Sequence, residues 1–105
     1  MKKIVGVTAC ITGIAHTYLA AESLIEAGKS LNIQVKIETH GAIGIENRLN
    51  QQDIDEAIGV IIASDIVVNE TRFINKRIIK VKTHEAIKHP QKLIRSLMEK
   101  EDYHE

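Results

Sequence analysis

Cys10 is the only cysteine in the chain, and it closes a short apolar run and opens the segment CITGIAHT, Cys10 to Thr17. A thiol becomes a nucleophile when its proton is loosely held, and this segment carries groups that loosen it. Thr12 and Thr17 offer hydroxyl donors, and Gly13 permits a positive φ or a close approach to a bound group. The residues that follow have helical spacing, so the thiol would face a ring of backbone N–H groups at a helix N-terminus, a nest that attracts anions. A tetrahedral phosphate fits that description. Such a field lowers a cysteine from its free value of about 8.5 into a range of roughly 3.5 to 7.5, and a protonated His16 would add to it. If the thiolate attacks phosphorus, the product is a thiophosphate whose three remaining oxygens lie in the nest that activated the sulfur.

Bland alternatives stand beside these readings. A free cysteine at the end of a buried strand is often only a small apolar residue. The glycine, the hydroxyls and the position in the fold favour a site in combination. For His16, a polar residue in a first helical turn and a catalytic role both remain open.

The elements that must position Cys10 follow from hydrophobic patterning. Ile4 to Val7 and Ile58 to Ala63 are nearly unbroken β-branched runs, the mark of strands buried on both faces of a parallel sheet. Ile33, Val35 and Ile37 alternate with Gln34, Lys36 and Glu38, which predicts a strand with one wet face, and Ile78 to Val81 predicts a short edge strand. Ala20, Leu24, Ala27 and Leu31 line one side of a helix from about residue 16 to 31. Asn50, with Asp53 three residues on, looks like a helix start before Ile54 and Ala57. Pro90 suits the first turn of a last helix with a stripe of Leu93, Ile94, Leu97 and Met98, and the charged tail EKEDYHE is expected to fray. Alternating strands and helices imply an α/β fold: an open four-stranded parallel sheet, order 2-1-3-4, with helices on both faces, a Rossmann-like three-layer sandwich. Ligands of such sheets gather at the carboxyl ends of the strands where the order reverses, which is just after the first strand, at Cys10.

Bulk composition bounds the rest. The 105 residues are expected to form one domain, 1–105, with an aliphatic core, since the chain has two Tyr, one Phe and no Trp. Fourteen basic residues balance fourteen acidic ones, so no general field draws the chain to nucleic acid or an anionic membrane. A lone cysteine forms no internal disulfide, which fits a reducing cytoplasm. The start MKKIVGVTACITGIA mimics a signal peptide, but Gly6, Thr8, Thr12 and Gly13 dilute it. The longest apolar stretch, Ala57 to Ala63, is far short of the roughly 20 residues of a membrane span, so no membrane insertion is expected.

Other patterns in the chain are weaker. Gly28-Lys29-Ser30 resembles the end of a P-loop but lacks the required earlier glycine, position 23 being Ser, and lies late in a helix. GAIGIEN, after the second strand, reads as a turn beside the Cys10 site. Arg72, Lys76, Arg77, Lys80 and Lys82 suggest a solvated, protected sheet edge, or else a dock for an acidic partner. His84 and His89 lack the partners of a metal set, so neither a metal nor a cofactor is indicated.

CITGIAHT followed by YLAAE resembles the CPTGIAHT-F-x-AAE signature of the IIB component of the bacterial fructose-type sugar phosphotransferase system. KIETHG is similar to that family's KVETQG, and Asn47-Arg48-Leu49, Asp53-Ile54 and Arg72-Phe73 match in order along nearly all of the chain. The resemblance implies a cytoplasmic phosphocarrier built on a four-stranded parallel sheet. Its Cys10 would take a phosphoryl group from a phosphohistidine on a IIA protein and pass it to fructose or a related sugar held by the membrane IIC permease. The resemblance makes Cys10 the phosphocysteine and Ile11, Thr12, Gly13, Ile14, Ala15, His16 and Thr17 its phosphate-binding loop. Three departures stand out: Ile11 replaces the usual proline, His40 a common glutamine and Ala42 a typical serine.

Rival readings remain. Cysteine-dependent low-molecular-weight phosphatases use a Cys-x5-Arg loop, but the sixth residue after Cys10 is His16, and a histidine lacks the arginine fork that binds phosphate bidentately. A non-catalytic IIB-like regulatory module is a second rival, disfavoured because no DNA-binding motif accompanies the domain. Redox sensing is a third, without a resolving cysteine to support it.

Overall fold

The computed structural model describes residues 2–102. Strand β1, Lys3–Ala9, leads through a short loop into α1, Ala15–Ser30, and β2, Gln34–Gly41, returns parallel to β1. A hairpin then adds β3, Gly44–Glu46, antiparallel to β2. Helix α2, Gln51–Glu56, precedes β4, Gly59–Ser64, and a 3-10 turn at Thr71–Phe73 precedes β5, Ile78–Val81. Helices α3, Thr83–Lys88, and α4, Pro90–Asp102, complete the described chain.

The sheet has five strands in the order β3-β2-β1-β4-β5, which corrects the four-stranded, wholly parallel expectation. β2, β1, β4 and β5 pair in parallel, and β3 makes the sheet mixed. β3 escaped notice because all three of its residues are exposed, so no alternation marks them.

Each face of the sheet carries its own aliphatic layer. Ile4, Ile37, Ile61 and Ala63 pack beneath Ala20, Leu24 and Ala27 of α1, Ala86 of α3 and Leu93, Ile94 and Leu97 of α4. On the other face Val5, Val7, Val60 and Ile62 meet Leu49, Ile54, Ala57 and Phe73. β1 is shared by both layers, with Ile4, Val5, Val7 and Ala9 all fully buried. Its carboxyl end, and Cys10 beyond it, is therefore held from both sides.

Three further expectations change. The second strand's supposed wet face is not wet at Glu38, whose exposure is 1 %. Its carboxylate accepts from both terminal nitrogens of Arg72, from the Leu49 amide at 2.9 Å and from His40 Nε2 at 2.6 Å. The basic run at residues 72–82 is only partly a solvated edge. Arg72 is paired with Glu38 through its two terminal nitrogens, and Lys76 Nζ donates to the carbonyls of Asp55 and Ala57, closing the end of α2. Finally, α4 runs through Asp102, into the stretch expected to fray; Tyr103, His104 and Glu105 lie outside the described residues.

Candidate functional site

The loop after β1 is a tight turn. The Gly13 amide donates to the Cys10 carbonyl at 3.2 Å, which places Ile11 and Thr12 at the two central turn positions. Gly13 then takes a φ of 68°, and its carbonyl accepts the Ala42 amide at 2.8 Å from the β2–β3 turn. A Cβ at Gly13 would stand 2.6 Å from that amide nitrogen, so position 13 needs glycine for both conformation and space. From Ile14 the chain enters α1 with no side-chain cap, leaving first-turn amides free to serve another acceptor.

That acceptor is sulfur. Thr17 Oγ1 donates to Cys10 Sγ at 3.0 Å, Thr12 Oγ1 lies 3.7 Å away, and the amides of Thr17 and Ile14 also point at the sulfur. Cys10 is 6 % exposed, and burial pushes its thiol up. The Thr17 hydroxyl, then the Thr12 hydroxyl and the two amides, outweigh that push and bring the thiol down to about 7. A thiol lowered this far below its ordinary value supplies thiolate near neutral pH. The arrangement can thus keep an anion on the sulfur, and its donors surround the place where a group attached to the sulfur would sit.

The residues expected in the loop divide in two. Thr12, Gly13, Ile14 and Thr17 build the sulfur's surroundings. Ile11, Ala15 and His16 lie in the same loop with exposed side chains, and the groups that lower the thiol are the hydroxyls of Thr17 and Thr12 and the amides of Thr17 and Ile14. His16 also faces Asp65 electrostatically. There burial pushes the carboxyl up, and the Thr83 amide and hydroxyl, Lys82 and finally His16 bring it below the ordinary range. Asp65 itself joins the strand end to α3, donating its amide to Ala9 and accepting from the Thr83 amide and hydroxyl at 3.0 and 2.7 Å.

Sequence reasoning missed two contributors. Ala42 fixes the loop through its backbone N–H, for which no side-chain signal exists. Tyr18 stands over Gly41 and donates to Glu46 at 3.3 Å, bracing the hairpin against α1. GAIGIEN, read as a turn near the site, is this hairpin. Among the described residues no cluster of His, Cys, Asp or Glu is suited to a metal, and no helix is long and apolar enough to cross a membrane.

Comparison with known proteins agrees with this geometry. Residues 5–96 match the family model described as the lactose/cellobiose-specific IIB subunit of the phosphotransferase system. The fructose-like EIIB component 2 of Escherichia coli K12 is 47 % identical over 89 residues, spanning 84 % of each protein. The fructose-specific EIIABC component of Bacillus subtilis is 45 % identical over 96 residues; the match covers 91 % of this chain but only 15 % of that longer protein. Among solved structures, a domain of the fructose-specific IIABC component of Borrelia burgdorferi superposes with a TM-score of 0.89 at 43 % identity, covering 91 % of this chain and 92 % of that one. The family model is named for lactose and cellobiose, whereas these relatives are named for fructose; at over 40 % identity the relatives carry the closer subdivision.

Proposed function

Since the chain belongs to the IIB family of the bacterial sugar phosphotransferase system, in its fructose-type branch, we propose that Cys10 is the atom on which it carries phosphorus. The observation that carries this reading is the Thr17 hydroxyl at 3.0 Å from Sγ, joined by the Thr17 and Ile14 amides. In the first step the Cys10 thiolate attacks the phosphorus of a phosphohistidine on a IIA protein. The S–P bond forms, the P–N bond breaks, and its electron pair returns to the imidazole nitrogen. The Thr12 and Thr17 hydroxyls and the first-turn amides of α1 receive the phosphoryl oxygens. In the second step a hydroxyl of fructose or a related sugar on the membrane IIC permease attacks phosphorus: the O–P bond forms, the hydroxyl proton passes to solvent, the S–P bond breaks and its electron pair returns to sulfur. A thiol close to 7 serves both steps, being anionic enough to attack and stable enough as a thiolate to leave. The whole chain, 1–105, acts as one cytoplasmic phosphocarrier domain, and no metal or cofactor enters either step.

Position 16 supports a carrier over a phosphatase. A hydrolase of this loop type uses an arginine fork where this chain has an exposed histidine. The experiment is incubation with phosphorylated IIA protein followed by mass spectrometry. One added phosphoryl group mapped to Cys10, absent in Cys10→Ser, is the expected result. A phosphoryl group mapped to His16 or any other residue overturns the assignment, as does rapid release of inorganic phosphate from the isolated protein.

A further inference from the structure

On the face of the sheet opposite α1, a cleft of about 260 Å³ opens between the β2–β3 hairpin and the 3-10 turn. His40, Arg48, Asn69, Thr71 and Arg72 supply its polar lining, above the buried carboxylate of Glu38.

The polar groups of this cleft are unbalanced in one direction. Each Glu38 oxygen already accepts two bonds: Oε1 from Arg72 and the Leu49 amide, Oε2 from Arg72 and His40. Asn69 Oδ1 accepts from both the amide and the hydroxyl of Thr71, at 2.9 and 2.7 Å. The strong acceptors are therefore saturated. Donors are left over. Arg48 is exposed and makes no hydrogen bond or ion pair with any described residue, so its whole guanidinium is free. The Asn69 amide nitrogen and the remaining N–H groups of Arg72 are likewise uncommitted. Formal charge points the same way, with two guanidinium groups against one carboxylate. A cleft with spent acceptors and spare donors selects a ligand made of acceptors.

We propose that this cleft is a second oxyanion site, separate from the cysteine loop, that takes a small phosphate-bearing anion on Arg48, Asn69 and Arg72. The donors come from the hairpin side and from the 3-10 side, which suits a tetrahedral group better than a planar carboxylate. Arg48 is the deciding residue, because Arg72 is held by Glu38 whether or not a ligand is present.

The test is an amide NMR titration of the full chain with inorganic phosphate at constant ionic strength. Saturating shifts at Leu49, Asn69 and Thr71 are expected, together with independent shifts at Gly13, Ile14 and Thr17 in the cysteine loop. Arg48→Ala, a change at an exposed position, should weaken the first set at least about tenfold and leave the second unchanged, as loss of a charged hydrogen-bonding partner requires. Arg48→Lys, which keeps the charge without the fork, should fall between. Shifts at the cleft that never saturate, that survive Arg48→Ala, or that sodium chloride reproduces overturn the site. Acetate binding more tightly than phosphate overturns the ligand class.

Discussion

Cys10 shows how opposing effects on one atom are decided. Burial alone would make it an inert thiol, and an exposure of 6 % fits that fate. Hydrogen bonds to the charged form reverse it, the Thr17 hydroxyl first among them. A hydrogen bond to a charged group is worth about 1.5–3 kcal/mol, or one to two units of titration midpoint. Thr17→Val keeps the shape and removes the hydroxyl, so the pH midpoint of Cys10 alkylation should rise from about 7 by about one unit or more, and Thr17→Ser should largely restore it. His16→Ala should leave the midpoint in place. A rise with His16→Ala and none with Thr17→Val would reassign the activating group.

At the scale of elements, the loop is set by a turn and a latch. Ile11 occupies the first central position of the turn closed by Gly13 and Cys10, where proline is favoured, and its side chain is 84 % exposed. Ile11→Pro should therefore stabilise the fold, by about 0.4–1 kcal/mol through the unfolded chain, and preserve the low alkylation midpoint. Gly13→Ala meets both a positive φ and the Ala42 amide, and should cost about 1–3 kcal/mol in urea unfolding while raising the alkylation midpoint. Much of this level was legible in residue order. The runs at Ile4 and Ile58, the Ala20-Leu24-Ala27 stripe and the Asn50–Asp53 capping box are local patterns with local causes. The helix α1 begins at Ala15, close to its expected start. What escaped has distant causes. α3 is six residues long, too short for periodicity to mark, and its start is secured by Asp65, 18 residues earlier. Glu38 looks like a surface residue in an alternating strand until Arg72, 34 residues away, covers it. The Ala42–Gly13 latch uses only backbone atoms, which residue identity does not report.

For the whole molecule, the α2 face of the sheet is held by carboxylates as well as by aliphatic packing. Asp53 accepts from Lys3 on β1 at 2.9 Å and from Lys36 on β2 at 2.7 Å, while its backbone and side chain close the cap of α2. Glu38 joins β2 to the 3-10 turn and to the segment before α2. Burial pushes the Glu38 carboxyl up, yet Arg72, His40 and the Leu49 amide hold it down to about 2. Asp53 is held well below the ordinary carboxylate range by Lys36, the Asn50 amide and Lys3. Both native values lie under the unfolded ones, so their stabilisation is fully present above about pH 4.5 and is lost as pH falls toward 2. For Glu38 the difference between 4.5 and about 2 corresponds to roughly 3 kcal/mol. The urea midpoint should therefore be level near neutrality and drop steeply between about pH 4.5 and 2.5. Glu38→Gln should start lower at pH 7, because it leaves Arg72 without its partner, and should lose less on acidification. Wild type with an equally shallow acid slope would show that the Glu38–Arg72 pair does not lock these elements together.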